Sequence, residues 1–457
     1  MKVKVFAIVV ILLIVSLSSC REFLEIDTPK TQIVRHKVFE NSEGARAAVF
    51  GILSQMSMGG FGGISSSVTV MGGLSSDEFL NHSTSQNNVT LYSNSLTPIN
   101  NSVVTTNWND MYLIVYEANS ILEGCESSGG LSTNVRSQVV GEAKFIRAFS
   151  YFYLINLFGD VPLVTGTDYS INKSLSRAAV SDVYNQIEKD LKESQTLLLS
   201  DYSMSGDEKV EPNKWAATAL LARAYLYQEK CADAESQSTL IINSNVFSLE
   251  SNLNSVFLKN SKEAIWQLMP VSPGVNTNEG EIMIIASNPT RWSLSTSVSG
   301  GFEVNDKRSA SWTGSFTISG KQYRYPFKYK VRLRNQPVTE YYMVLRFAEQ
   351  YLIRAEARAM QNNLPGAVSD LNTIRTRAGL PLIDATGLTQ TDVLGLVTKE
   401  RRSELFAEFG HRWFDLKRSG TIDAVLGPLK ADWQPKDALF PIPQAEITAN
   451  PNIIQNP

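Results

Sequence analysis

Three segments of this chain share one short pattern, in which an Arg-Ala step sits inside an apolar run. They are FIRAFSYF around Arg147, LLARAYLY around Arg223 and YLIRAEARA around Arg354. After the second and third, another helical segment follows that opens on small residues, Ala232-x-Ala234 and Pro365-Gly366-Ala367. Small alanines let two antiparallel helices approach closely. A chain that repeats such a unit stacks helix pairs, and its 457 residues suit an elongated array or two domains better than one compact core.

The remaining periodicity agrees. Ala45, Val49, Ile52, Leu53 and Met56 share one side of a helix over 41–58. Trp108, Tyr112, Val115, Asn119 and Leu122 line another, and Val183, Ile187 and Leu191 a third over 181–199, with Ser181 as its expected cap. Helices are also predicted over 142–157, 215–228, 232–243, 343–360, 365–378 and 391–417. The repeated pair is similar to the tetratricopeptide repeat, with irregular spacing. The fold class expected is therefore mainly α, a tetratricopeptide-like scaffold with irregular loops and short strands. Residues 59–107 are rich in Gly, Ser and Asn and are predicted to be loop until Trp108 restores order. Short strands are expected within 247–342, at 264–269, 281–286 and 328–334.

The first twenty residues carry a separate message. Lys2 and Lys4 precede an unbroken apolar run from Val5 to Val15, too short to span a bilayer comfortably but suited to a secretory signal. The run ends in Leu17-Ser18-Ser19-Cys20, which resembles a bacterial lipobox. On that reading residues 1–19 are removed and Cys20 is diacylated, giving an anchor and not a span. Glu22 and Glu25 just beyond resemble a signal for the outer cell surface. Cys125 and Cys231 then remain as free thiols, although one disulfide between them is open to an exported chain.

Charge excludes some functions. With 42 basic and 45 acidic side chains and no long basic run, the chain has no footprint for nucleic acid. No nucleophile elbow, phosphate loop, calcium loop or Cys/His zinc spacing is present, and His36, His82 and His411 form no pair at ligand spacing. No metal or cofactor is expected.

The stretch ERRSELFAEFGHRWFDLKR at 400–418 has the composition of an acid–base site. Its pattern says otherwise. Leu405, Phe409, Trp413 and Leu416 form an apolar stripe, and Arg401 with Glu404, Glu408 with Arg412 and His411 with Asp415 stand three or four apart. The expectation is a packed helix whose charges pair along its flanks.

That stretch also resembles the C-terminal signature of the SusD/RagB family of outer-membrane lipoproteins. So do 145–163 (FIRAFSYFYLINLFGDVPL), 345–357 (LRFAEQYLIRAEA), the ending LFPIPQAEITANPNIIQNP and the lipobox. The blocks stand in family order across nearly the whole chain. The resemblance implies an N-terminal region over 20–245 with helical repeats and ligand-facing loops, and a C-terminal region over 246–457. It implies Arg147, Arg223, Arg354, Glu404, Arg412 and Asp415 as structural residues. It also implies a surface protein that sits as a lid on a SusC-like TonB-dependent transporter, binds glycans or peptides and is not an enzyme.

Family sites lie on loops, where aromatic rings cover sugar faces and polar neighbours fix orientation. Trp292 is the first candidate, followed by Tyr92, Asp77 and Asn81, then Phe61 and Tyr323. Trp108 reads as core, and Trp312 as packing. Two other functions compete: a surface glycan hydrolase with an unrecognised carboxylate pair, and a helical-repeat adaptor of the transporter that touches no solute.

Overall fold

Long amphipathic runs become long helices here, and their caps explain where they begin. The computed structural model describes residues 35–457 except Ser65, so the signal 1–19, Cys20, Glu22 and Glu25 lie outside the described residues. Helix α1 (Ser42–Met58) starts where Asn41 accepts the Gly44 N–H at 2.9 Å, and its five predicted apolar residues are all buried. Two short helices follow, α2 (Val68–Ser75) and α3 (Gln86–Ser93), before α4 (Ser102–Ser127) and α5 (Thr133–Phe158). Next come α6 (Val180–Leu197), α7 (Lys214–Tyr227) and α8 (Cys231–Ile242). The last group is α9 (Phe347–Met360), α10 (Leu364–Ala378), α11 (Gln390–Leu405) and α12 (His411–Arg418). Ser181 does not cap α6; Ala179 precedes it without a side-chain bond.

The stack runs in order. Helix α4 packs on α5, α5 on α6, α6 on α7, α7 on α8, α8 on α9, and α9 on both α10 and α11. The three Arg-Ala arginines join neighbouring helices. Arg147 of α5 makes a two-pronged bond to Asp190 of α6 at 2.8 and 2.7 Å, and reaches Asn119 of α4 at 2.7 Å. Arg223 of α7 holds Glu349 of α9 at 2.7 and 2.6 Å. Arg354 of α9 holds Asp370 of α10 at 3.0 and 2.7 Å. All six side chains are buried. A planar guanidinium fork on a carboxylate fixes orientation as well as distance, so these pairs set the register of the stack. The architecture is the mainly α, tetratricopeptide-like scaffold the periodicity predicts. One hydrophobic cluster runs from Phe39 to Ile453, so the N-terminal and C-terminal regions share a core. Cys125 and Cys231 are both free thiols.

Strands are few and short: β1 (Phe79–Asn81), β2 (Val161–Pro162), β3 (Arg177–Ala178), β4 (Ala264–Leu268), β5 (Trp292–Leu294), β6 (Thr313–Ile318), β7 (Lys321–Pro326) and β8 (Tyr342–Arg346). Among the described residues they form four antiparallel ribbons, β1–β5, β2–β3, β4–β8 and β6–β7.

Four expectations are corrected. Tyr342–Arg346 is a strand, because the run is buried on both faces against β4; helix α9 begins only at Phe347. Residues 278–283 form a short helix capped by Thr277, and 328–334 form no strand. The Gly-rich stretch holds the buried helix α2, capped by Ser67. Its glycines serve close approach, since a Cβ on Gly72 would lie 2.7 Å from the Gly410 Cα.

The fourth correction concerns 391–417, which is two helices. Between α11 and α12, Ala407 (φ 51°), Phe409 (φ 41°) and Gly410 (φ 69°) all take left-handed backbone. Thr69 accepts the Phe409 N–H at 2.9 Å and Glu78 accepts the Ala407 N–H at 3.2 Å, which holds the break open. The apolar stripe stays buried but spans two elements. The charges consequently leave their local partners. Arg401 pairs with Asp415 at 2.9 Å, Glu408 with Arg346 at 2.7 Å, and Arg412 with Asp77 at 2.7 Å. His411 is buried, and burial followed by the charges of Arg223 and Arg401 holds its pKa well below the usual range. A neutral, enclosed imidazole is no general acid.

Asp415 bridges Arg401 and Arg418, each at 2.9 Å. Asp415→Ala leaves both guanidiniums without that carboxylate and is expected to cost about 3–5 kcal/mol. Urea unfolding checks this; a midpoint equal to the parent's would refute the structural role. Gly72→Ala is expected to cost about 1–3 kcal/mol by overpacking, on the same assay.

Candidate functional site

Residues 79–82 and 291–294, more than two hundred positions apart, meet. Strand β1 pairs with β5 in the register Phe79↔Leu294, Leu80↔Ser293 and Asn81↔Trp292. The ladder continues one step as the His82 N–H donates to the Arg291 carbonyl at 2.7 Å. The β6–β7 hairpin packs beside β5, turning at Ser319 (φ 48°) and Gly320 (φ 76°). In β7, Tyr323 and Tyr325 are two residues apart and so share one face. Both are half-buried. Tyr325 lies flat across the neighbouring strand because Gly314 has no side chain; a Cβ there would fall 2.3 Å from the ring.

Polar groups gather at the edge of this face. His82 meets Tyr323 edge-on with ring centroids 5.3 Å apart, and its Nε2 lies 2.8 Å from the Ser293 hydroxyl. Burial, helped by the Lys321 charge, holds the His82 pKa below its ordinary value, so the ring is neutral at physiological pH. The Lys321 ammonium sits 4.9 Å from the Tyr323 ring centroid. Asn81 uses its amide locally, donating to the Ser83 carbonyl and accepting the Ser83 N–H, both at 2.9 Å. Each amide atom still has one hydrogen-bonding position left. A cavity of about 230 Å³ adjoins the start of β5, bordered by Asn288, Arg291, Trp292 and Arg332.

The six sequence candidates therefore divide. Asn81 and Trp292 pair across β1 and β5, and Tyr323 meets the adjoining His82. Trp292 is not an open platform, since it is only 2% exposed and stacks on Phe79 at 6.3 Å. Its indole N–H is buried with no hydrogen-bond partner, while other atoms of the residue border the cavity. Phe61 is core, packed on Phe149 at 5.0 Å and Tyr153 at 5.4 Å. Tyr92 sits on α3 with the Lys430 ammonium 4.0 Å from its ring centroid, which covers one face.

Asp77 is a buried ion-pair centre, bound by Arg402 at 2.6 Å and Arg412 at 2.7 Å. Burial alone would raise its carboxyl. The hydrogen bond and charge of Arg412, then the charge of Arg402, override that and hold it at about 2.

His82, Lys321 and Tyr325 escaped the sequence reading. The signal was present: in FTISGKQYRYP, apolar or aromatic residues alternate on either side of Ser-Gly, the mark of a hairpin. Among the described residues, no group of His, Cys, Asp and Glu side chains gathers as a metal site.

Residues 49–226 match a SusD-like family model described as starch-binding and associating with the outer membrane, and residues 298–457 match the SusD family model. This chain belongs to the SusD family. A SusD-like protein P2 of Formosa agariphila is 26% identical, with 99% of each chain covered. A SusD superfamily protein from Bacteroides vulgatus superposes with a TM-score of 0.80 at 21% identity, over 91% of this chain and 98% of that one. A structure described as a laminarin-binding SusD-like protein gives a TM-score of 0.79 at 23% identity, over 91% and 99%. These likenesses establish the SusD fold, and proteins of the SusD family are surface-associated at the outer membrane.

The Asp77 pair supplies an acid limb to stability. A depressed carboxyl pKa stabilises the fold above its unfolded value near 4, and that contribution is lost as pH falls through about 2. Its expected size is roughly 2 kcal/mol. Urea midpoints measured from pH 5 down to pH 2 should fall more steeply for the parent than for Asp77→Asn, with parallel curves as the refuting result.

Proposed function

We propose that this SusD-family protein captures a glycan on the face built from β1, β5 and the β6–β7 hairpin. It then delivers the glycan, chemically unchanged, to a SusC-like TonB-dependent transporter. The observation that carries the reading is the pair Tyr323 and Tyr325 on one strand face, flanked by the neutral His82, with Asn81 one residue before it on the adjoining strand. Successive tyrosines on a strand are about 7 Å apart, a spacing suited to the apolar faces of a short saccharide. Neutral amide and imidazole groups at the edge suit hydroxyls, which need both donors and acceptors. The laminarin-binding neighbour supports a glycan over a peptide. Lipid on Cys20, after removal of 1–19, anchors the protein to the outer membrane on the exterior side of the cell.

A glycan array followed by calorimetry on the protein lacking residues 1–19 tests the reading. The ligand found should bind Tyr323→Ala and Tyr325→Ala each about tenfold more weakly, from roughly 1–1.5 kcal/mol of lost ring contact. Melting temperatures should stay near the parent's, since both rings are half-buried. Full affinity in both variants would move the site elsewhere. New products after prolonged incubation would instead make the protein a hydrolase, and absence of any ligand would leave the adaptor reading.

A further inference from the structure

A second cavity, of about 360 Å³, lies among α11, α12, residues 298–302 and residues 421–425. It belongs to no part of the face described above. Its apolar wall is Val298, Phe302, Leu416 and Val425. Thr398, Ser403 and Thr421 also line it. Its charged lining is all cationic: Lys399, Arg402 and Arg412, with no carboxylate among the lining side chains.

The cations are under-neutralised. Arg402 and Arg412 share the single carboxylate of Asp77. Arg402 also meets the Ser297 hydroxyl, yet its Nε is buried with no hydrogen-bond partner. Glu78, the next carboxyl, is turned to the Ala407 N–H, and burial raises it to about 7. Lys399 reaches Glu303 at 3.1 Å, but Arg375 already holds that carboxylate at 2.7 Å. Two guanidiniums on one carboxylate leave a net positive charge beside the cavity, which an incoming anion offsets.

The mouth of the cavity is kept open by Gly395. This glycine lies inside α11, where it costs about 1 kcal/mol of helix propensity relative to alanine. Neither strain nor crowding requires it: its backbone is not left-handed, and a Cβ built there meets nothing within 4 Å. The space left by its missing side chain opens into the cavity.

We propose that this cavity binds a small organic carboxylate with a body about the size of one ring, its anionic end on Arg402 and Lys399. Such a carboxylate is either the uronate unit of a glycan or a free organic acid; both offer the same charge and a partly apolar body. The proposal stands independently of the tyrosine face.

The test is calorimetry on the full mature chain with two matched pairs of probes: sodium glucuronate against glucose, and sodium phenylacetate against phenylacetamide. At least one carboxylate should bind at least about tenfold more tightly than its neutral counterpart, a difference of about 1.4 kcal/mol. Glucuronate alone binding assigns the uronate source, phenylacetate alone the free acid, and both together a site that reads only the carboxylate. Gly395→Leu should abolish that binding with an unchanged or higher melting temperature. Lys399→Gln, at a side chain 52% exposed, should weaken it about fivefold or more without unfolding the chain. Equal binding of carboxylate and neutral probes, no binding by either carboxylate, or parental affinity in Gly395→Leu each overturns the proposal.

Discussion

Glu404 is a fully enclosed carboxylate with three guanidiniums around it. Arg346 reaches it at 2.6 Å and Arg308 at 3.0 Å, and Arg377 completes the set. These come from β8, the short helix 307–312 and α10, while Glu404 is on α11. The arrangement extends outward through Glu263, Glu400, Glu408 and Asp306, so each buried arginine meets more than one carboxylate. Trp312 lies over it, with the Arg346, Arg377 and Lys328 cations 4.8–5.8 Å from its ring centroid. Enclosed ions are poor sources of net stability, because desolvation offsets most of the attraction. What they supply is discrimination: a slipped helix would strand several charges at once. Burial would raise the Glu404 pKa, yet Arg377, Arg346 and Arg308 pull it well below the ordinary range.

This constraint also reaches the ligand-facing side. Asp77 and Glu78 lie just before β1, and both are held by the segment 400–418, Asp77 through Arg402 and Arg412 and Glu78 through the Ala407 N–H. Four residues beyond Asp77 stands Asn81, followed by His82, which meets Tyr323. The strand that presents Asn81 and His82 is therefore fastened at its other end to the scaffold. A weakly paired, two-stranded ribbon gains a fixed position it could not supply for itself. The part of the sequence with the look of a catalytic site is the clamp that places the face proposed to bind glycan.

The helical stack was legible because apolar spacing of three and four survives as burial; the faces of α1 and α4 are as read from the sequence. Where the reading went astray, one residue type served two ends. Glycine in 59–75 suggested loop, yet Gly72 is there so that Gly410 can pass close by. The spacing of Leu405, Phe409 and Trp413 suggested one helix, and three left-handed residues intervene without disturbing which side chains are buried. Trp292 lacked a helical stripe, but absence of that stripe is equally a property of a buried strand. The ion pairs were legible as composition and not as partners. Arg402 and Asp77 are 325 positions apart, and no local rule joins them.

The left-handed break at 407–410 has a consequence for how the chain tolerates change in length. A residue added to or removed from it would have to shift the register of α12, and each step of register turns its side chains by about 100° about the helix axis. Arg412, Trp413 and Asp415 would then all face the wrong neighbours together. The tip at Ser319–Gly320 has no such coupling, since it closes a two-stranded ribbon and a Cβ on Gly320 meets nothing. Insertions are thus barred from the hinge of the clamp and admitted at the hairpin beside the tyrosines. A fold arranged in this way can alter what it grips while the parts that hold it together keep a constant length.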